Sequence, residues 1–406
     1  MKRIILFGLL LLANAHIGSA QWWKDAENAE KVRSKGLLLL TAEIQNDATE
    51  AINLMYNFKF AEAEKEFRYL KLKYPEHPLP YFLLGLSDWW KIVPNPENTS
   101  HDAQCFANMD SCIVLAEKIY DLDDERKVEA SFLLAAAYAF KGRIHAERKH
   151  WAKATFTGKS ALKYFKKSKG ESDLSPELVF GDGLYNYYAE WIPANYGALK
   201  PIFWFFPNGD KALAIKQLEK VSFNAFYTRT EARYFLLQIY GMENQNDKAY
   251  DLAKYTYQNY PDNPFFHRYY ARCAFVVGKI KEAEAESKVI LDRIEAGQTG
   301  YEGVSGRYAA YILAYYAQNY YHDIPKAKDY YQKTLNFAKQ SGTTKSGYYW
   351  SSLLALGKMA TQENKLDEAG DYYKQCLDES DKSATQHDEA KKLLAENKKA
   401  RRKAKK

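Results

Sequence analysis

The chain has 406 residues, of which 47% are hydrophobic, 15% aromatic and 27% charged, with a formal net charge of +7. Ala, Leu, Glu and Lys are abundant and Gly and Pro are few, so the composition favours helices over strands. The tail KKARRKAKK at residues 398–406 carries seven positive charges, as many as the net charge, so the rest of the chain is close to neutral. A broad nucleic-acid-binding face is therefore not expected.

The first twenty residues have the pattern of a cleaved signal peptide. Lys2 and Arg3 are followed by an apolar stretch at residues 4–12 that is too short to span a bilayer, and Ala20 supplies a small residue before a cleavage site. We therefore expect export to the periplasm or the medium, as in a protein of the Bacteroidota type. A first transmembrane helix is the alternative.

The four cysteines do not predict a disulfide framework. Cys105 and Cys112 would lie about 10 Å apart on one helix, beyond the roughly 7 Å that a bridge tolerates. Their spacing and that of Cys273 and Cys376 also differ from paired CxxC zinc knuckles, so we expect four small buried residues and no metal site.

Residues 21–190 predict a series of helix pairs. The stretch NFKFAEAEKEFRYLKLKYP has small, aromatic and closing-proline positions at Ala63, Phe67 and Pro75 that suit the second helix of a tetratricopeptide-like (TPR) pair. Looser pairs follow, and Ser175 with Pro176 predicts a helix start, with Ser as the cap and Pro at the first helical position.

Residues 191–210, WIPANYGALKPIFWFFPNGD, form an aromatic segment in which prolines and glycines keep every apolar run too short for a membrane span. We predict a connector packed inside an enlarged helix pair. An exposed docking patch centred on Trp204 and Phe205 is the first alternative, and a small-molecule site beside Trp191 is the second.

Residues from about 125 to 295 resemble the tetratricopeptide repeat protein 39 and inclusion body clearance protein family. The resemblance depends on a Gly-containing helix, a proline, an apolar connector with a Gly-Asp pair, and a Leu-containing second helix: Gly181, Gly183, Pro193, residues 203–206, Gly209, Asp210, Leu213 and Leu218. It implies a helical repeat protein without chemistry of its own. The export signal and the high tyrosine content depart from this family.

Residues 211–382 predict a C-terminal array with a regular phase. Tyr240, Ala249 and Pro261 have the offsets of the 34-residue tetratricopeptide repeat, and Ala283 follows Ala249 by 34 residues. We therefore predict an all-α fold, a right-handed α-α superhelix (TPR solenoid) of about seven helix pairs with the aromatic connector inserted. Residues 383–406 predict a capping helix with a basic tail.

The same register predicts a concave groove lined by first-helix residues. A protein or peptide partner would be bound there by arginine forks and tyrosine rings. The predicted binding residues are Tyr234, Gln238, Arg268, Arg272, Tyr308, Tyr311 and Tyr315. The alternative for each tyrosine is packing between helices.

The sequence has no GxSxG elbow, no phosphate-binding loop and no HExxH zinc helix. On one helix, His145 and His150 would point away from each other because five residues turn about 140°. We predict a non-enzymatic scaffold without cofactor or metal. The alternative is a structural component of a cell-envelope complex, docked through the aromatic connector or through attraction of the basic tail to an anionic surface.

Overall fold

The computed structural model describes residues 37–168, 175–197, 200 and 207–404. Within these ranges the chain contains a short 3-10 turn at Leu38–Leu40, seventeen α-helices and no strand, so the predicted all-α fold is confirmed. The signal peptide, Trp204 and Phe205 lie outside the described residues. No helix in the described ranges combines the length and the apolar character that a bilayer span requires.

The described residues fall into two compact units. The first comprises residues 37–55, 60–87 and 103–236, and the second comprises residues 56–59, 88–102 and 237–404, each within the described ranges. The helices begin with α1 (Ala42–Tyr56), α2 (Phe60–Lys73), α3 (Leu79–Ile92), α4 (Asp102–Leu122), α5 (Lys127–Glu147), α6 (Trp151–Ser168), α7 (Pro176–Asn195) and α8 (Lys211–Asn224). They continue with α9 (Arg229–Met242), α10 (Asn246–Asn259), α11 (Pro264–Val276), α12 (Ile280–Glu295), α13 (Gly303–Asn319), α14 (Ile324–Gln340), α15 (Gly347–Gln362), α16 (Leu366–Glu379) and α17 (Thr385–Ala404).

Successive helices in the described residues form eight pairs and a closing helix, close to the seven pairs predicted. α10 and α12 begin 34 residues apart, and Ala249 and Ala283 are buried as the repeat requires. The spacing then lengthens, because α14 begins 44 residues after α12 and α16 begins 42 residues after α14. The 34-residue phase is therefore local to the first part of this array.

Glycines allow close helix crossings in both units. In the first unit, a Cβ added to Gly183 on α7 would lie 2.8 Å from Cγ of Leu218 on α8. In the second unit, a Cβ added to Gly357 on α15 would lie 2.4 Å from the ring of Tyr373 on α16. Side chains have no room at these crossings, so glycine permits the paired helices to approach closely enough to bury their apolar faces.

Replacement of Ala283 by leucine is expected to destabilise the second unit by about 1 to 3 kcal/mol, because this fully buried position on α12 cannot hold a larger side chain. Thermal melting measures the effect. Ala285→Leu is the matched control, since Ala285 is exposed on the same helix and should leave the melting temperature nearly unchanged. Equal melting of both variants would show that the repeat register is wrong.

The start of α7 follows the sequence prediction, whereas its end does not. Ser175 Oγ accepts a hydrogen bond from Glu177 N, and Pro176 occupies the first turn. The helix continues through Trp191 and Pro193 to Asn195, so the irregular part of the aromatic segment begins later than residue 191. Pro193 has no N–H, so the last turn of the helix lacks one backbone hydrogen bond.

The described end of the aromatic segment packs on α7. The Tyr185 hydroxyl donates a hydrogen bond of 2.8 Å to the carbonyl of Pro207. A Cβ at Gly209 would lie 2.2 Å from the Asn186 carbonyl oxygen, so only glycine fits. Asp210 then caps α8 by accepting a hydrogen bond from Leu213 N. Residues 207–210 thus contact α7, as the connector interpretation expects, although three of them are exposed. The docking patch at Trp204 and Phe205 lies outside the described residues, and the small-molecule site beside Trp191 stays a prediction.

Candidate functional site

Three first helices of the second unit, α11, α13 and α15, bring a set of aromatic and arginine side chains together. We call this set the tyrosine–arginine face. Its members share one side of each helix at spacings of three and four residues. They are Phe265, Arg268, Tyr269, Arg272 and Phe275 on α11, Tyr308, Tyr311 and Tyr315 on α13, and Tyr348 on α15.

Ring contacts join the three helices across this face. The rings of Tyr311 and Tyr348 stack with centroids 4.3 Å apart, and Tyr308 meets Tyr348 edge-on at 5.0 Å. Phe275 packs edge-on against Tyr315 at 5.1 Å. The structure therefore brings together the predicted residues of α11 and α13, and the geometry of aromatic pairs keeps their rings in fixed orientations.

Arg268 is buried on the N-terminal half of α11. Its guanidinium donates to the carbonyl of Pro94 at 2.7 Å and to that of Val93 at 3.4 Å. It also lies over the rings of Phe265 and Tyr308. The side chain is 6% exposed, so its donors serve the fold and are turned away from a partner. Its burial does not favour the predicted role in partner binding, which stays a prediction.

Arg272 lies one turn further along α11 and is only partly buried. Its guanidinium lies 5.6 Å from the ring centroid of Tyr269 and interacts electrostatically with Tyr348. No carboxylate pairs with it in the part of the chain that the structure describes. Burial opposes the charge on Arg272, but the phenols of Tyr348, Tyr269 and Tyr308 raise its pKa above the ordinary value, so the cation is kept.

The phenols of Tyr348 and Tyr311 remain protonated at neutral pH. Burial raises the pKa of Tyr348 to about 12 and also raises the pKa of Tyr311. Each hydroxyl can therefore donate a hydrogen bond. A cation flanked by neutral O–H donors is a suitable environment for a carboxylate.

The face opens toward the C-terminal ends of α11 and α13. Tyr315 is 40% exposed, whereas Phe265 at the opposite end is 6% exposed. The difference arises because residues 93–94 cover the N-terminal end of α11 through Arg268. An incoming chain would therefore reach Arg272 from the side of Tyr315.

The remaining predicted site residues lie outside the tyrosine–arginine face. Tyr234 is buried in the first unit, where its hydroxyl accepts a hydrogen bond of 2.7 Å from Arg143. Gln238 is partly buried on α9. Trp204 and Phe205 fall among the residues that the structure does not describe. Binding by each of these residues stays a prediction.

Sequence reasoning missed Tyr269 and Tyr348. Tyr348 was overlooked because the last unit of the array was read only for its packing residues. The sequence did contain an indication. Tyr348 and Ser351 follow Tyr308 and Tyr311 by 40 residues each, so the residue spacing of the α13 face recurs on α15.

The prediction for His145 and His150 was wrong. Their ring centroids lie 6.0 Å apart, because α5 ends at Glu147 and His150 therefore does not continue the helical rotation. The His145 ring stacks on Phe106 at 4.7 Å. No group of three or more metal-ligating side chains occurs among the described residues.

Comparisons with known proteins identify no family for this chain. No protein-family model and no curated protein matches the sequence. Among solved structures, the chain is similar to the C-terminal part of a TPR repeat-containing protein from Cytophaga hutchinsonii, with 15% identity over 84% of this chain and 98% of that one. The TM-score is 0.27. The helices of the chain are themselves compatible with tetratricopeptide repeats. The resemblance to the tetratricopeptide repeat protein 39 family has no family-level support.

Proposed function

We propose that this protein is an exported, non-enzymatic scaffold that binds a protein or peptide through the tyrosine–arginine face. The observation that carries the proposal is Arg272, a partly buried cation bounded by tyrosines and without a carboxylate partner in the described ranges. Helical repeats commonly present such surfaces to extended ligands.

The chemistry of the face favours a carboxylate. A guanidinium binds a carboxylate through two parallel N–H donors, and partial burial strengthens charge-assisted hydrogen bonds. The neighbouring hydroxyl of Tyr348 can add a further donor, because its pKa of about 12 keeps it protonated. The carboxylate would come from the C-terminus of a peptide or from an acidic side chain.

The aromatic rings suit the adjoining part of the same peptide. Phe275, Tyr311 and Tyr315 form a rigid surface beside Arg272, with Tyr315 at its exposed edge. Tyrosine provides a large contact area at a small cost in side-chain entropy. An apolar residue next to the carboxylate would bury surface against these rings, so the face fits a short extended segment.

Peptide arrays test this proposal directly. We expect the full chain to select peptides with a free C-terminal carboxylate or acidic side chains, and a duplicate array with C-terminal amides distinguishes the two sources. Arg272→Gln should weaken binding of the selected peptides by about 10-fold to 100-fold, the usual contribution of a hydrogen-bonded charge. Fluorescence anisotropy gives the dissociation constants.

Lys281→Gln provides the control for net charge. Lys281 is exposed on α12, so its replacement removes one positive charge from the same unit without touching the face. It should bind the selected peptides as the unaltered chain does. If both variants lose affinity equally, or if Arg272→Gln retains full affinity, the face is not the binding site.

A further inference from the structure

The helix α6 presents two large aromatic side chains to solvent. Trp151 is 66% exposed and Phe156 is 70% exposed, although residues of this size are usually covered. Both lie in the N-terminal half of the helix, outside the tyrosine–arginine face and in the other unit. Two such residues within six positions form an apolar contact surface that the fold itself does not use.

The same stretch is strongly basic. Residues 148–168 contain seven lysine or arginine residues and no aspartate or glutamate. On α6, Lys159, Lys163 and Lys166 are exposed and fall between Trp151 and Phe156 on a helical arc of about 140°. Trp151 and Phe156 thus lie at the two edges of this arc with the lysines between them, all on the solvent-exposed side of α6.

The opposite side of α6 fixes the helix to the protein. Tyr164 is buried, and its ring stacks on Tyr138 of α5 with centroids 5.9 Å apart. The two helices pack along their length. The exposed arc of α6 is consequently held in place by a rigid neighbour and does not need to fold on contact with a partner.

α4 differs from α6 in the charge that accompanies its exposed apolar side chains. α4 also exposes apolar side chains, Val114 at 66% and Leu122 at 76%. Those residues lie among acidic neighbours, including Glu117 and Asp121. Exposed apolar groups alone are thus ordinary in this unit, whereas the basic aromatic face occurs on α6.

We propose that the exposed face of α6 binds the surface of a membrane that contains anionic phospholipids. Its charge is complementary to phosphate headgroups, and Trp and Phe insert favourably at the boundary between headgroups and acyl chains. The helix has 18 residues and is about 27 Å long, so it can lie along the surface with its lysines in the headgroup layer. This contact is independent of peptide binding at the tyrosine–arginine face.

The arrangement favours lipid over an acidic protein or a nucleic acid. An acidic protein would pair with the lysines without requiring two bare aromatic rings, and stacking on bases would require more closely ordered cations and aromatics along a groove. In a bilayer the two kinds of side chain have separate roles, because lysines attract the surface at long range and aromatics bury apolar area after contact.

Vesicle sedimentation tests the proposal with the full chain. We expect binding to vesicles of phosphatidylcholine with phosphatidylglycerol and little binding to phosphatidylcholine alone. Lys159→Ala with Lys163→Ala should weaken partitioning by about fivefold per lysine, or about 25-fold for the pair, and salt should weaken the binding of the unaltered chain. Trp151→Ala with Phe156→Ala should also lower the partition coefficient, by at least about tenfold.

Val114→Ala with Leu122→Ala is the matched control, because it removes exposed apolar groups from a neighbouring helix in an acidic setting. It should bind anionic vesicles as the unaltered chain does, and thermal melting should show that all variants fold. Binding that depends on the lysines but not on Trp151 and Phe156, and that is equal for polyglutamate and for vesicles, would overturn the proposal in favour of an acidic protein partner. No binding to anionic vesicles would overturn it as well.

Discussion

Glu177→Ala is expected to lower the free energy of unfolding by at least about 3 kcal/mol, because it removes a buried carboxylate that satisfies several backbone donors at once. Glu177 lies in the first turn of α7 and is 1% exposed. Its carboxylate accepts hydrogen bonds from the backbone N–H groups of Phe226, Tyr227 and Thr228 and from the Thr228 hydroxyl.

These donors stand immediately before α9 and have no helical partners of their own. One carboxylate thus joins the start of α7 to the turn between α8 and α9 over about fifty residues of sequence. After truncation to alanine, the buried N–H groups of Tyr227 and Thr228 and the partly buried N–H group of Phe226 would lose their acceptor. Each orphaned buried donor costs about 1–3 kcal/mol. Urea unfolding followed by circular dichroism measures the change.

Glu190→Ala is the matched control for this effect. Glu190 lies on the same helix and also accepts a backbone hydrogen bond, from Lys211 N at 3.1 Å, but it is exposed to water. Its loss should cost less than about 1 kcal/mol, because water can replace the carboxylate. Similar unfolding midpoints for the two variants would show that the buried hydrogen bonds to Glu177 do not stabilise the fold.

Arg268→Met is expected to destabilise the second unit by about 2–4 kcal/mol, whereas Arg272→Met should cost less than about 1 kcal/mol. Both arginines lie on α11, four residues apart. Only Arg268 donates to the backbone carbonyls of Val93 and Pro94, which would be left without this donor in a buried position. Arg272 is partly exposed and interacts with tyrosine side chains, not with backbone carbonyls of the described residues.

Chemical unfolding of the two single variants checks this difference. Methionine keeps most of the side-chain volume, so the comparison isolates the hydrogen bonds from packing. A joint replacement of both arginines, the obvious experiment from sequence alone, would confuse loss of folding with loss of binding. If Arg272→Met proves to be the more destabilising change, the internal role of Arg268 and the external role of Arg272 must be exchanged.

The helical repeat could be predicted because its signals are local. The small residues Ala249 and Ala283, the cap at Ser175 and the proline at position 176 each act within one or two helical turns. The common side of Arg268 and Arg272 on α11, and that of Tyr308, Tyr311 and Tyr315 on α13, also followed from helical spacing, since residues three, four and seven positions apart lie on one face.

The difference between Arg268 and Arg272 could not be predicted in this way. It depends on residues 93–94, which lie about 175 positions earlier in the chain and reach the N-terminal end of α11. Nothing in the local pattern of α11 indicates this cover. The closeness of His145 and His150 was missed for a related reason, since it follows from where α5 ends and not from helical rotation.

Residues 93–94 make the two ends of the tyrosine–arginine face different. Arg268 is hydrogen-bonded to the backbone of residues 93–94, so this end of the face is buried while the Tyr315 end is exposed. A peptide bound at Arg272 as proposed would therefore extend past Tyr315. A C-terminal carboxylate would suit a site that is buried at one end, and the rest of the partner would stay outside the face. Such a protein would bind large partners through their C-terminal segments, whatever the fold of the rest of the partner.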